Sequence, residues 1–137
     1  MRQNATIFPT LRYQDARAAI EFLCKAFGFE RHAIYEGEGG TIAHAQLKFG
    51  NGMVMIGSFR EDEFGKLQTT PRRSGGLPTQ SPYIVVEDAD AHHDRAVKAG
   101  AKVVYALRTE DYGGRGYSCL DPEGHLWNFG TYDPWKQ

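Results

Sequence analysis

The chain repeats itself at one fixed offset, and this constrains its fold more than any other feature. Asp15 and Asp88 stand 73 positions apart, each placed after a strand-like run and before a helix-like one. In the first unit Thr6–Tyr13 reads as a strand, and Ala16–Phe27 carries Ala16, Ala19, Ile20, Leu23, Ala26 and Phe27 on one face at helical spacing. A carboxylate at the N-cap and Gly28 past the end are the expected boundary signals. In the second unit Ser81–Val86 is the strand, Asp88 the cap, and Ala89–Ala99 the helix closed by Gly100. The same shift lays Phe8 on Ser81, His44 on Tyr117, Leu47 on Leu120, and Met55–Ser58 on Asn128–Thr131, drifting by one residue near the turns.

Each unit therefore predicts strand, helix, then three strands: 30–35, 41–49 and 53–58 in the first, 102–107, 116–120 and 126–131 in the second. Asp121-Pro-Glu-Gly124 supplies a type I turn, with proline second and glycine fourth. The fold class is α+β, with a first βαβββ module over 1–59, a linker or mobile flap over 60–80, and a second module over 81–137, together one compact domain. A hydrophobic content of 41% is ordinary for a globular chain, and a net charge of −1 with no basic stripe argues against nucleic acid as partner. No apolar run approaches the roughly 18 residues of a membrane span, and no signal peptide is visible. Cys24 and Cys119 lack metal-ligand spacing and read as free thiols, which predicts a cytoplasmic protein.

Three stretches, Phe8–Asp15 with its helix, Val85–Asp90, and Asp121–Phe129, resemble the vicinal oxygen chelate superfamily of glyoxalase I, bleomycin-resistance proteins and extradiol dioxygenases. The last stretch is the most specific, because strand-turn-strand with Asp-Pro-x-Gly and a following aromatic recurs across that superfamily. The resemblance covers essentially the whole chain except the linker. It implies two βαβββ modules curled into a half-barrel around a cavity, with helices on the convex side. Strand alternation then turns Phe8, Thr10, Arg12, His44, Gln46, Lys48, Met53 and Met55 toward the cavity in the first module. In the second it turns Ser81, Tyr83, Tyr117, Cys119, Leu126, Asn128 and Gly130 inward, with Trp127 and Phe129 in the core.

Metal-using members of the superfamily take ligands from four equivalent strand positions, which fall here on Phe8, Met55, Ser81 and Asn128. Phenylalanine cannot ligate, thioether sulfur suits hard divalent ions poorly, and the other two offer only neutral oxygens. The expectation is a chain with no metal and no cofactor. Adjacent His92 and His93 sit about 100° apart around a helix and cannot readily chelate one ion together. His93 is expected at the edge of the helix's packed face, and His125 solvated or capping beside a turn. His44 beside Gln46 is the candidate acid–base or ligand-orienting residue, against a plain hydrogen-bonded strand histidine.

The candidate ligand-binding set is Phe8, Thr10, His44, Gln46, Met53, Met55, Ser81, Tyr83, Arg115, Tyr117 and Asn128. A mostly apolar wall with a few polar groups suits a small, flat or partly aromatic molecule. Arg115 either clamps a ligand carboxylate or phosphate, or pairs at the surface with Asp111 or Glu110. The resemblance implies a metal-free small-molecule-binding protein like the resistance members, paired as a homodimer; Trp135 either packs at such a contact or covers its own domain. The alternatives are a glyoxalase-related lyase or isomerase acting on a small oxygenated metabolite, or a non-catalytic regulatory or assembly module.

Overall fold

The computed structural model describes residues 3–136, and the outermost residues of the two expected modules lie outside the described residues. Eight strands form two four-stranded sheets of identical topology. The first runs β1-β4-β3-β2, from β1 (Thr10–Tyr13), β2 (Glu30–Glu36), β3 (Ile42–Phe49) and β4 (Gly52–Ser58). The second runs β5-β8-β7-β6, from β5 (Tyr83–Val85), β6 (Lys102–Thr109), β7 (Arg115–Leu120) and β8 (Leu126–Gly130). In each, the first strand pairs parallel with the fourth and the rest are antiparallel. Both leading strands are shorter than the sequence suggests: Pro9 and Pro82 still accept from Met55 and Asn128 at 2.9 and 3.0 Å but have no N–H to extend the ladder.

The helices start where their caps predict. Asp15 accepts from the Ala18 N–H at 3.0 Å to open α1 (Ala16–Phe22), and Asp88 accepts from Ala91 at 3.0 Å to open α2 (Ala89–Lys98). After Phe22 the first helix widens into a π-helical segment, Leu23–Phe27, which ends at Gly28 with φ of 90°. Leu23, Ala26 and Phe27 are fully buried there, so the extra width projects their side chains toward the second module.

One core serves both modules. Phe27 lies 4.7 Å from Phe129 and 5.5 Å from Trp127, while Phe29 lies 5.6 Å from Trp127, ring centroid to centroid. Leu11, Tyr13, Ala45, Leu47, Val54 and Ile56 enter this core from the first sheet, and Tyr117, Cys119, Trp127 and Phe129 from the second. Each sheet thus buries one face against the helices and turns its other face outward.

A carboxylate joint fastens the modules. Asp121 Oδ2 accepts from the Tyr13 hydroxyl at 2.6 Å and from Trp127 Nε1 at 3.1 Å. Glu123 accepts the backbone N–H groups of Gln14 and Asp15 at 2.7 and 2.8 Å. His125, expected to be solvated or capping beside a turn, bonds the Arg12 carbonyl at 2.8 Å through Nε2 and tilts over the Tyr13 ring at 4.6 Å. The Asp-Pro-Glu-Gly segment is therefore a turn on one side and a clasp on the other. Residues 60–80 form a strap tied to both sides: Gln68 donates to the Thr10 carbonyl, Arg73 to Gln14, and Arg72 to the Pro122 carbonyl.

Candidate binding site

The outward face of the first sheet carries Thr10 and Arg12 on β1, Met53 and Met55 on β4, and His44, Gln46 and Lys48 on β3. Cross-strand pairs Thr10↔Met55 and Gln46↔Met55 place these residues side by side. Gln46 Nε2 lies 3.1 Å from His44 Nε2, an arrangement in which the amide donates and the histidine nitrogen accepts. The lone pair that a general base would use is thereby engaged. Phe8 precedes β1, half-buried against the strap.

The second sheet's outward face differs from expectation in one strand. Tyr117 pairs with Phe129 and Ser118 with Asn128, so β7 presents Ser118 outward and sends Tyr117 and Cys119 into the core. The cause is one extra residue in the Asp-Pro-Glu-Gly connection, compared with the tight Phe49–Gly52 turn of the first module. Ala45 and Tyr117 are equivalent, 72 positions apart, whereas Ile56 and Phe129 are 73 apart. A single-residue slip inverts every side chain on a strand. Tyr117 borders a cavity on this sheet, yet it is 3% exposed, and its hydroxyl lies 2.7 Å from His92 Nδ1 under α2. Burial holds the Tyr117 phenol well above its ordinary pKa and pushes the Cys119 thiol up to about 12, so neither is a nucleophile or acid near neutrality.

Arg115 forms a surface ion pair, with a partner other than the two expected. Its Nε and Nη2 reach the two oxygens of Asp90, in the first turn of α2, at 2.9 and 3.1 Å, and Nη1 reaches Thr109. This two-point pair holds the Asp90 carboxyl below the usual range and the guanidinium above its own. Neither Asp111 nor Glu110 pairs with it, since Glu110 is taken by Arg108 at 2.7 Å.

What the second sheet does build is a cavity of about 220 Å³ whose walls include Tyr83, Tyr105, Tyr112 and Tyr132, with Ser118 and Asn128 at its base. Glycines let the rings approach the backbone. A side chain at Gly130 would meet the Tyr83 hydroxyl at 2.7 Å, and one at Gly114 would strike the Tyr132 backbone at 2.7 Å. Gly113 and Gly114 also hold φ of 105° and 83°, which other residues rarely adopt. Tyr83 Oη donates to the Tyr132 carbonyl at 2.7 Å, and the Tyr112 and Tyr132 rings meet edge to face at 5.2 Å. Of the expected set, Tyr83, Arg115, Tyr117 and Asn128 line it; Tyr105, Tyr112 and Tyr132 lie outside that set. Their signal lay in Asp111-Tyr-Gly-Gly-Arg-Gly-Tyr117, a run whose glycines make room for the aromatics beside them.

A second, larger groove of about 820 Å³ lies between the segment before β1 and the strap. It gathers Phe8, Thr10 and Ser81 but none of His44, Gln46, Met53 or Met55. The expected single cavity is thus divided within one chain: the first sheet's residues, the groove and the tyrosine-walled cavity are separate features.

The four positions matching the superfamily's metal ligands do not suit a divalent ion. Asn128 Nδ2 donates to Ser81 Oγ at 2.8 Å and to the Pro82 carbonyl, while Asn128 Oδ1 accepts from Ser118 Oγ at 2.6 Å. Ser81 Oγ is engaged by the Asn128 amide N–H and Asn128 Oδ1 by the Ser118 hydroxyl, and Phe8 and Met55 supply no oxygen. Among the described residues, no group of three His, Cys, Asp or Glu side chains converges as a ligand set.

Two curved βαβββ sheets with helices on their shared inner side, and small-molecule-sized hollows on the outer side, define a glyoxalase-like fold. Residues 6–129 match the Glyoxalase/Bleomycin resistance protein/Dioxygenase superfamily, and the chain belongs to it. It is 36% identical over 122 residues to uncharacterized protein Mb0911c of Mycobacterium bovis, covering 89% of this chain and 80% of that one. The same identity and extent hold for uncharacterized protein Rv0887c of Mycobacterium tuberculosis, of which 71% is covered. Among solved structures, TioX from Micromonospora sp. ML1 superposes with a TM-score of 0.73 at 31% identity, over 93% of this chain and 98% of that one. The fosfomycin resistance protein FosX from Mesorhizobium loti shares the fold at a TM-score of 0.65 and 15% identity, over 99% and 98% of the two chains. Among the described residues, no helix is long and apolar enough to cross a membrane.

Proposed function

We propose that this protein is a metal-free small-molecule-binding member of the superfamily, taking its ligand on the outward face of the second sheet. The observation that carries the reading is the tyrosine-walled cavity. Four aromatic rings and two polar side chains converge there on a glycine-floored surface, in the chain's second half where the sequence departs from a metal-ligand pattern. Aromatic walls supply apolar area at little entropic cost, and Ser118 and Asn128 supply placed polar groups. Catalysis is not needed to account for this site, since the titratable groups lining it are phenols and a glutamate and an arginine that are each engaged in an ion pair. Members of this superfamily bind small ligands and often pair as dimers, and the outward faces of both sheets are open to such pairing.

A thermal-shift screen against small organic compounds, with and without divalent metal, tests the reading. A ligand that binds only the folded state raises the melting temperature by mass action. Stabilisation by an organic compound, unaltered by Zn²⁺, Mn²⁺ or chelator and lost in Tyr105→Ala, is the expected result. Strong stabilisation by one metal, reversed by chelator, would overturn it.

A further inference from the structure

The charge around the tyrosine-walled cavity narrows what it can hold. The two guanidinium groups beside it are neutralised internally: Arg115 is locked to Asp90, and Arg108 bonds Glu110 Oε1 at 2.7 Å. Asp111 and Asp133 flank Tyr112 and Tyr132 in sequence, and among the described residues neither is in an ion pair. Asp133 is close enough to Tyr83 to help burial raise that phenol's pKa. The cavity therefore combines the negative faces of several aromatic rings with a surplus of carboxylate, which repels anions and attracts cations.

The chain supplies its own demonstration. The Arg108 guanidinium carbon lies 3.7 Å from the Tyr105 ring centroid, so a cation already occupies one face of a cavity ring. Size makes the second restriction. At about 220 Å³ the cavity is smaller than the roughly 300–1,000 Å³ of drug-sized sites, enough for a compact head group but not for an extended ring system.

From these observations we infer that the cavity is an aromatic cage for a compact organic ammonium ion. The trimethylammonium type is the shape that meets several ring faces at once. The inference rests on the reading that the second sheet's outward face is the ligand site, and it adds the chemical class. Tyr83, Tyr105, Tyr112 and Tyr132 provide the faces; Asp111 and Asp133 provide the long-range field, and Arg108 competes for Tyr105.

The test is a titration of the full chain, carrying ¹³C-labelled tyrosine rings, with choline and with its neutral isostere 3,3-dimethylbutan-1-ol, followed by nuclear magnetic resonance. A flat neutral aromatic, quinoline, serves as a third probe. Choline is expected to shift the cavity tyrosine resonances and to bind roughly tenfold more tightly than the isostere. Tyr112→Ala, at a side chain 68% exposed and so safe for folding, is expected to weaken choline several-fold, while Tyr112→Phe retains it and Arg108→Ala strengthens it. Equal binding of choline and the isostere overturns the ammonium inference. So does quinoline shifting those resonances where choline does not; in both cases the second-sheet site still stands. If none of the three probes shifts them, the inference falls together with the site it rests on.

Discussion

At the scale of single residues, His92 shows how a surface-like position becomes part of the interior. Its Nδ1 faces the Tyr117 hydroxyl at 2.7 Å and its Nε2 the Phe27 carbonyl at 2.8 Å, with the Phe129 ring 4.2 Å from its own. Burial, and to a lesser degree the nearby Arg95 guanidinium, lowers its pKa below the ordinary value, against the Phe27 carbonyl that favours the charged form. A lowered folded-state pKa means the unfolded chain binds the proton more readily. Stability from neutral His92 is thus present above about pH 6.5 and is lost as the pH falls below it, through the lower folded value. His92→Gln keeps a donor and an acceptor without the titration, and the slope of melting temperature between pH 7 and 5 should flatten in that variant. An unchanged slope would remove His92 as the cause. The sequence placed His93 at the edge of the helix's packed face, because the repeat aligns it with buried Ile20, and it lies there, half-buried and edge-on to the Tyr117 ring at 5.0 Å; the interior role of His92 had no such signal. The π-helical widening of Leu23–Phe27, which has no counterpart in α2, brings the Phe27 carbonyl to His92.

At the scale of elements, the connection between β7 and β8 does two jobs that its turn signature does not disclose. Asp-Pro-x-Gly reads correctly as a turn, yet what fixes Asp121 and Glu123 is the far end of β1, more than 100 positions away in sequence. Such long-range partners leave no local pattern, whereas caps, helices and most strands do. The same connection, longer by one residue, turns Tyr117 and Cys119 to the face opposite the one that strand alternation predicts. Removing the Asp121 carboxylate strands the buried Tyr13 hydroxyl and Trp127 N–H, at about 1–3 kcal/mol each. Asp121→Ala should therefore unfold at markedly lower urea, by at least about 2 kcal/mol, with an unchanged m-value; an unmoved midpoint would mean the joint adds nothing. Within the second sheet, Gly130→Ala makes the converse case. Its Cβ would press on the Tyr83 hydroxyl, the movable tip of a 44% exposed side chain. Because the atom it meets is a movable side-chain tip, stability should fall by only about 1 kcal/mol although Gly130 itself is buried, while ligand affinity at the cavity drops through displacement of Tyr83. Unaltered affinity, measured by calorimetric titration, would place the ligand elsewhere.

At the scale of the whole molecule, the division of the expected cavity is the feature that asks for a partner. His44, Gln46, Met53 and Met55 lie on one outward face and Tyr83 and Asn128 on another, and neither of the two hollows contains members of both sets. Ile7, Leu67 and Leu77, all more than 80% exposed, line the groove beside them, an apolar surface of the kind that marks association. A twofold axis could lay the first sheet of one copy over the second sheet of another, generating two equivalent composite cups and burying this groove. Repetition in the sequence made two modules legible, but self-complementarity of the folded surface is written in no motif. Sedimentation equilibrium at micromolar concentration should give twice the 15.3 kDa chain mass, and Leu77→Glu should return it to the monomer. Because a composite cup draws its walls from both copies, His44→Trp should alter ligand affinity at the tyrosine cavity in the dimer, but not in a Leu77→Glu background. A wild-type chain that sediments as a monomer and binds ligand with undiminished affinity would show that each sheet works alone, and that the first sheet's polar row has no part in the site.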